Sequence, residues 1–450
     1  MKLIYQPSDK PKGGQLFAFA LQQLLAIMAA TIAVPMIIGN GMDTSAALFG
    51  AGVGSIVYLL FTQFKSPVFL GSSFAFLGSM SAAFAGAVSL QLGYLGLLLG
   101  AIFAGLVYVV IALIIKAVGV EWINKLMPAV VIGPTVAIIG LSLAGNAVGD
   151  LTTAPAGGNE KIALLCGLVT LAVTMLCSTF GKKFIRTIPF IIGILAGYCL
   201  ALIFTVIGNS AGIDALKIIN FSGFSALVEG GVGLKTFIRI PDFTFLKAFQ
   251  GFSDLSGTYL ATIAVAYIPV AFVVFAEHVA DHKNISSIIE KDLLEDPGLS
   301  RTLLGDGIGS MAGAFFGGCP NTTYGESIGC VAISGNASVV TILCTAIIAI
   351  LISFLSPFVA FLASIPNCVM GGVCIALYGF IAVSGLKMVQ KVDLENNRNL
   401  FVVSTILICG IGGLSLTFGK VTVTSIATAL ILGILVNVML SGADKKKAKK

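Results

Sequence analysis

Long apolar runs recur along the whole 450-residue chain, and they limit its possible folds more than any other feature. A run of about 18 or more apolar residues can cross the roughly 30 Å hydrocarbon core of a membrane as a helix. Only 10% of the residues are charged, against roughly a quarter in soluble domains, and the mean hydropathy is +1.03. The sequence therefore predicts an all-α, polytopic membrane protein.

These runs give about fourteen transmembrane segments, seven before residue 209 and seven after residue 253. A more polar, glycine-rich segment, 209–253, connects the two sets. The predicted spans are 16–39, 44–63, 67–86, 92–115, 126–148, 161–180 and 187–208, followed by 256–280, 300–317, 320–335, 338–362, 368–387, 399–417 and 420–440.

The Lys and Arg residues predict how the chain is oriented. An even number of spans places both termini on one side of the membrane. If that side is the cytoplasm, 20 of the 26 Lys and Arg residues are cytoplasmic, as the positive-inside rule requires. Topology thus accounts for the net charge of +6. We expect a multi-pass protein of the cell membrane, surrounded by lipid, with cytoplasmic termini and no nucleic-acid partner.

Seven is an odd number, so the second set of segments must enter the membrane upside down relative to the first. The sequence therefore predicts two inverted repeats of seven, and such repeats often carry interrupted helices that mark a binding site near the midplane. Segments 3 and 10 contain "GSSFAF" (71–76) and "NTTYGE" (321–326), which share an order of small, hydroxyl, hydroxyl, aromatic and small residues. Pro and Gly precede both motifs, so we expect short extended stretches that interrupt these two segments.

Three acidic residues are candidates for a polar site. Glu326 stands near a predicted helix start, where free backbone N–H groups form a positive end; the alternative is a helix charge at the membrane edge. Glu277 and Asp281 lie four residues apart, on one face of segment 8. Because a charge inside a membrane costs about 2.5–3.5 kcal/mol, the deeper Glu277 is predicted to be functional. For Asp281, function and simple solvation both remain open.

Other polar residues favour packing over chemistry. We expect His278 to pack or bond locally and His282 to mark the cytoplasmic end of its span. The nine cysteines lack the spacing of a metal site, and no nucleophile-and-base arrangement is present, so we expect no metal, no cofactor and no enzyme activity. "GAGVG" (50–54) lies inside an apolar span and is interpreted as a close helix contact.

Three motifs carry a family resemblance. "AEHVADHKNISSIIEKDLLEDPGL" (276–299), "GDGIGSMAGAFFGGCPNTTYGESIG" (305–329) and "GSSFAF" closely resemble the uracil permeases of the nucleobase-cation symporter-2, or nucleobase-ascorbate transporter, family. The resemblance implies a core domain that carries substrate and a gate domain that mediates a homodimer. It places the core in 1–118 and 254–364, the gate in 119–208 and 365–440, an outer loop in 209–253 and a basic cytoplasmic tail in 441–450.

The resemblance also implies a proton-coupled uracil importer in which the core moves against the gate. Glu277 is implied to be the first candidate for the coupled proton, together with Asp281 and Glu326. The implied substrate-binding residues are Glu277, Glu326, Phe74, Gly325, Tyr324 and Ser73.

Two residues depart from the uracil permease pattern, because Asp281 and Gln23 stand where that pattern has histidine. Glu326 resembles the pyrimidine carriers rather than the purine carriers. Alternatives are a purine, xanthine or ascorbate carrier of the same family and, in another class, an anion transporter of related fold. Two acids in one pocket argue against an anion site.

Overall fold

The computed structural model describes residues 3–119, 128–155, 157–182, 184–418 and 421–447, and these are mostly helical. Within these ranges, 8 helices are long and apolar enough to cross a membrane. They are Gly13–Ile38, Thr44–Phe61, Leu90–Val118, Ala129–Thr152, Glu160–Phe180, Pro189–Ala211, Gly257–Ile289 and Asn367–Val389. The prediction of an all-α, polytopic membrane protein is confirmed; the count of fourteen spans and the inverted repeat stay predictions.

The elements before the connecting segment are α1 (Gly13–Ile38), α2 (Thr44–Phe61), β1 (Leu70–Ser72), a 3-10 turn (Phe74–Phe76), α3 (Leu77–Ala85), α4 (Leu90–Val118), α5 (Ala129–Ser142), α6 (Ala144–Thr152), α7 (Glu160–Phe180), α8 (Phe184–Thr187) and α9 (Pro189–Ala211). The connecting segment itself contains short helices, namely α10 (Ser222–Ala226), α11 (Leu234–Phe237) and α12 (Thr244–Ala248), with 3-10 turns at Asp214–Leu216 and Phe249–Asp254.

The elements that follow are α13 (Gly257–Ile289), a π turn (Leu294–Gly298), α14 (Leu299–Gly317), β2 (Asn321–Thr323), α15 (Gly325–Ser334), α16 (Val339–Ile352), α17 (Ser356–Ser364), α18 (Asn367–Val389), α19 (Asn397–Ile411), β3 (Leu416–Phe418), β4 (Val421–Val423) and α20 (Ser425–Lys447).

Several predicted spans differ from the helices that form. The predicted span 338–362 is two helices, α16 and α17, because Pro357 cannot continue the first helix but suits the first turn of the second. The span 399–417 ends early, at Ile411, and an antiparallel pair of strands, β3 and β4, follows it. The helix α20 runs on through Lys447, so most of the expected tail, 441–450, continues a helix; residues 448–450 lie outside the described ranges.

Glycines let α2 and α14 pack with their backbones in contact. A Cβ atom on Gly50 would overlap the carbonyl of Gly313, and one on Gly54 would lie 2.7 Å from the carbonyl oxygen of Gly309. Small residues spaced four apart permit this approach in membrane helices. The interpretation of "GAGVG" as a close helix contact is confirmed.

The longer helices pack mainly into two groups. In the first group, α14 lies against α2 and α4, α13 lies against α4, and α16 joins α1 to α2. In the second group, α18 lies against α5 and α7, α9 lies against α7, and α19 lies against α20 and α5. Fewer contacts join the groups, chiefly from α13 to β4, α20 and α5 and from α1 to α9. A boundary between two packed bodies therefore runs along α13 and α1.

Candidate functional site

The two interrupted segments meet as a short antiparallel sheet. Strand β1 pairs with β2, with Leu70 opposite Thr323 and Ser72 opposite Asn321. Further backbone bonds extend the pairing at both ends, from Ser73 N to Pro320 O at 2.9 Å and from Tyr324 N to Phe69 O at 3.2 Å. All residues of both strands are buried, which satisfies the requirement that irregular backbone at membrane depth be enclosed by protein. The predicted extended stretches are confirmed.

Gly71 and Tyr324 fit together at the centre of this sheet. A Cβ atom on Gly71 would overlap the Tyr324 ring, so only glycine leaves room for it. The Tyr324 hydroxyl donates to the carbonyl oxygen of Ser72 at 2.7 Å. Tyr324 is therefore fixed by contacts with the opposite strand, and its ring position follows from the absence of a side chain at residue 71.

Helix α15 begins directly after β2, with Glu326 in its first turn. The first N–H groups of a helix have no partner inside it and form a positive end. A Cβ atom on Gly325 would meet nothing within 4 Å, so the backbone of this first residue is open to the adjoining space. The helix start predicted at Glu326 is confirmed.

Helix α13 brings its two acids to the same region. The side chain of Asp281 accepts a hydrogen bond from Thr323 Oγ1 at 2.8 Å, which ties α13 to β2. Glu277 lies one helical turn earlier on the same face. The acids of segment 8 and of segment 10, which are separated by about 45 residues in sequence, thus converge on the end of the sheet.

A small central cavity of about 50 Å³ contains all six residues predicted to bind substrate. Its described lining is Ser73, Phe74, Ala75, Ile139, Glu277, Thr322, Thr323, Tyr324, Gly325, Glu326 and Ile381. Ile139 comes from α5 and Ile381 from α18, so both groups of helices contribute. Asp281 does not line this cavity. The six residues therefore lie together around one cavity, and their roles in substrate binding stay predictions.

A larger space of about 340 Å³, the Arg186 cavity, adjoins the central cavity and shares Glu277, Gly325, Glu326 and Ile381 with it. Asp281 lines this cavity, as do Arg186 of α8 and Met388 near the end of α18. Three acids and one cationic side chain therefore line the same, mostly apolar space, and a small molecule in the central cavity could leave through it.

Both histidines lie in the protein interior, away from the cavities. His278 Nδ1 lies 2.7 Å from a carboxylate oxygen of Asp306, and both residues are fully buried. His282 is also fully buried; its Nδ1 donates to the carbonyl of His278 at 2.8 Å, and its Nε2 lies 2.6 Å from the Tyr58 hydroxyl. Helix α13 continues past His282 to Ile289, and α2 supplies Tyr58 as its buried partner; that His282 marks the cytoplasmic end of its span stays a prediction.

Two further residues lie near the site: sequence reasoning did not single out Asp306, and it noted Gln23 only as a departure from the uracil permease pattern. Asp306, the partner of His278, is an acid within an apolar, glycine-rich segment. The free-energy cost of a charge inside the membrane, which made Glu277 a candidate, applies equally to Asp306. Gln23 donates to the side chain of Ser327 at 2.5 Å, and that hydroxyl also accepts from Phe69 N at 3.1 Å. Gln23 thus joins α1 to the residue beside Glu326 and to the start of β1.

The described residues contain no group of three or more His, Cys, Asp or Glu side chains that could hold a metal ion. The site can instead offer carboxyl oxygens, helix N–H groups and aromatic surface. This combination suits a small neutral molecule that carries both hydrogen-bond donors and acceptors.

Comparisons with known proteins identify similar chains. The sequence model of the permease family matches residues 14–419. A uracil permease of Bacillus caldolyticus is 38% identical over 444 residues, covering 98% of this chain and 95% of that protein. A uracil permease of Bacillus subtilis (strain 168) is 36% identical over 448 residues, covering 98% and 96%. The transmembrane domain of a cyanobacterium bicarbonate transporter, BicA, is similar in fold, with a TM-score of 0.63 and 16% identity over 94% of this chain and 97% of that one.

Proposed function

The chain belongs to the permease family, and on that premise we propose that it imports uracil together with protons. It is a transporter rather than an enzyme, since its relatives are named permeases. The observation that carries the proposal is the convergence of Glu277, Glu326 and the open start of α15 on one small cavity. The names of the relatives supply the substrate.

The chemistry of uracil matches these groups. Its ring edge alternates carbonyl and N–H groups, so a carboxyl of Glu277 or Glu326 can pair with it in either protonation state. Backbone groups near Phe74 and Gly325 complete the hydrogen bonds, and the ring lies beside the aromatic side chains of Phe74 and Tyr324. Ser73 contributes to the wall. The Arg186 cavity, at about 340 Å³, is near the lower end of the roughly 300–1,000 Å³ typical of small-molecule sites.

Proton coupling follows from the cost of moving charge. A bare carboxylate that travels through apolar surroundings is penalised, so a loaded carrier moves more readily when an acid has taken up a proton. Glu277 is the first candidate because it lines the central cavity from α13, the helix that lies along the boundary between the two packed groups. Asp281 and Glu326 are the other members of this proton-coupling set.

The movement that we propose is of a core domain against a gate domain. The core comprises residues 1–118 and 254–364, the gate comprises residues 119–208 and 365–440, and the fourteen segments form two inverted repeats. The separation of the helices into two packed groups supports this division, as does the placement of the central cavity between Glu277 on one side and Ile139 and Ile381 on the other. We further propose that the gate domain forms a homodimer.

The Arg186 cavity indicates which side is open. Arg186 and Met388 lie at the ends of segments 6 and 12 that the positive-inside rule places in the cytoplasm. We therefore propose that the conformation described is open to the cytoplasm, with both termini on that side of the cell membrane.

The test is uptake of labelled uracil into liposomes that contain the purified protein. An imposed pH gradient, acidic outside, should drive accumulation, and a protonophore should remove it. A Glu326→Gln protein reconstituted at the same density is the control for leakage. Accumulation that ignores the pH gradient but follows a chloride gradient would overturn the proposal in favour of an anion carrier.

The nearest alternative is a carrier for purines or xanthine within the same family. Competition distinguishes the two: unlabelled uracil should displace labelled uracil at concentrations at which xanthine has no effect. If xanthine competes as well as uracil does, the substrate assignment changes while the transport mechanism stands.

A further inference from the structure

A third cavity lies on the far side of the central cavity from Arg186. This Asn146 cavity has a volume of about 240 Å³ and is lined by Ile37, Phe74, Leu77, Gly78, Ser81, Ser142, Leu143, Asn146, Thr424, Ser425 and Ile426. Residues from α1 and α3 form one wall, and residues from α5, α6 and α20 form the other. It therefore lies, like the central cavity, between the two packed groups of helices.

The cavities follow one another along a single stretch of chain. Val136 lines the Arg186 cavity, Ile139 lines the central cavity, and Ser142 and Asn146 line the third. At about 1.5 Å per helical residue, these positions mark a path of roughly 15 Å. Since the Arg186 cavity leads to the side proposed as cytoplasmic, the Asn146 cavity lies toward the outer side.

Phe74 is the described residue that borders both the central cavity and the Asn146 cavity. Phe74 is 8% exposed, and its ring contacts Tyr378 of α18 edge to face, with ring centroids 5.8 Å apart. The ring thus separates the two spaces and spans the boundary between the two groups of helices. A molecule that entered from the outer side would meet the Phe74 ring before it met Glu277 or Glu326.

We propose that the Asn146 cavity is a second binding site for the transported base, a weaker one that holds a small, neutral, planar lactam before it passes Phe74. This inference rests on the proposed uracil transport. It assigns a ligand site to residues that, apart from Phe74, lie outside the central cavity, and its occupant belongs to the same chemical class as the transported base.

The lining has the chemistry that such a ring requires. Asn146, Ser81 and Ser425 line the cavity and make no side-chain hydrogen bonds to other described residues, so their donors and acceptors are available to a ligand. A carboxamide carries a carbonyl beside N–H groups and can pair with the carbonyl and N–H of a lactam edge through two hydrogen bonds. Phe74 and Leu77 offer apolar surface to the ring faces.

The absence of charge sets the expected affinity. The described lining of the Asn146 cavity includes no charged side chain, whereas the central cavity has two carboxyl groups. Hydrogen bonds to charged groups contribute about 1.5–3 kcal/mol, against about 0.5–1.5 kcal/mol for neutral pairs. We therefore expect the outer site to bind uracil at least 10-fold more weakly than the central site.

The experiment uses thiol labelling at position 142, which lines the cavity but is not one of the groups proposed to pair with the base. In right-side-out vesicles that contain the Ser142→Cys protein, a membrane-impermeant maleimide added outside should label the introduced thiol, measured by mass spectrometry of its peptide so that native cysteines do not interfere. Excess uracil should slow this labelling about fivefold, and it should do so equally in a Glu326→Gln background. Val148→Cys is the matched control: it lies exposed on the following helix, α6, and outside the cavity lining, so uracil should not protect it.

Each other result contradicts the inference. Labelling only from the cytoplasmic side, or no labelling, means that the cavity is not open to the outside. Protection that disappears with Glu326→Gln means that uracil acts only from the central site. Absence of uracil uptake by the unmodified protein would instead remove the proposed function itself. As a second measure, uracil saturation-transfer NMR signals on the Glu326→Gln protein should be lost when Asn146→Leu is added; a retained signal places the ligand elsewhere.

Discussion

The two extended stretches at the centre of the protein share a backbone arrangement but differ in the side chain that closes each motif. In the first stretch, Phe76 is 2% exposed and stacks on Tyr267, with ring centroids 5.5 Å apart. In the second, the corresponding residue is Glu326, which lines the central and Arg186 cavities. At this position the first stretch therefore has a buried apolar side chain, and the second has a carboxyl group at the cavities.

The helices after the two stretches also begin differently. A 3-10 turn, Phe74–Phe76, separates β1 from α3, whereas α15 starts at Gly325 immediately after β2 and Tyr324. The turn places the Phe74 ring between two cavities, and the direct start places backbone N–H groups and Glu326 at the central one. The first stretch is thus suited to separate spaces and the second to bind.

The largest effect on uracil binding should come from Glu326→Gln, which removes the charge from the second stretch and makes it uncharged like the first. Glu326→Gln should weaken uracil binding by at least about 2 kcal/mol, because truncating a buried, charged hydrogen-bond partner typically costs this much or more, equivalent to about 30-fold in Kd. Binding of labelled uracil to purified protein measures it. The matched control is Glu160→Gln, another acid in the first turn of a helix. If the two variants bind uracil equally well, Glu326 is only a charge at a helix end and has no specific role in binding.

Glu277→Gln tests whether the acid of α13 differs in role from the acid of α15. A glutamine can still hydrogen-bond the base but cannot take up and release a proton. Net uptake driven by a pH gradient should fall about 10-fold, because a glutamine has no titratable proton, while exchange of labelled for unlabelled uracil, measured in the same liposomes, should change much less. Equal losses in both assays would remove Glu277 from proton coupling.

The central contact was predictable because a motif repeated at matching positions in two sets of segments, and "GSSFAF" and "NTTYGE" both follow chain breakers. Glu277 was predictable because a lone acid in an apolar run is costly. The buried partners of the two histidines were not predictable from the sequence. His282 bonds to Tyr58 and His278 bonds to Asp306, each on a different helix, and helical periodicity does not indicate which helices become neighbours. The break before α17 depended on a single proline whose effect the hydropathy of the span concealed.

Gly71→Ala tests how strictly the first stretch is shaped by the second. The added methyl would overlap the Tyr324 ring, and overpacking of this kind typically costs about 1–3 kcal/mol. We expect a lower thermal unfolding temperature in detergent and weaker uracil binding. Gly379→Ala on α18 is the matched control, because its Cβ would meet nothing within 4 Å. If both variants unfold like the unmodified protein, the two stretches tolerate more separation than the packing indicates.

The smallest effect should come from Tyr324→Phe, which gives the second stretch the aromatic residue of the first. The ring and its packing on Gly71 remain, and the hydroxyl is lost together with its hydrogen bond to the Ser72 carbonyl. Such a bond contributes about 0.5–1.5 kcal/mol, so the unfolding temperature should fall slightly and uracil should bind within about threefold of its original Kd. Tyr5→Phe removes an exposed hydrogen bond to Gln15 and should change neither quantity. A loss of binding for Tyr324→Phe as large as for Glu326→Gln would mean that the hydroxyl itself contacts the substrate, and that the two stretches differ at two positions rather than one.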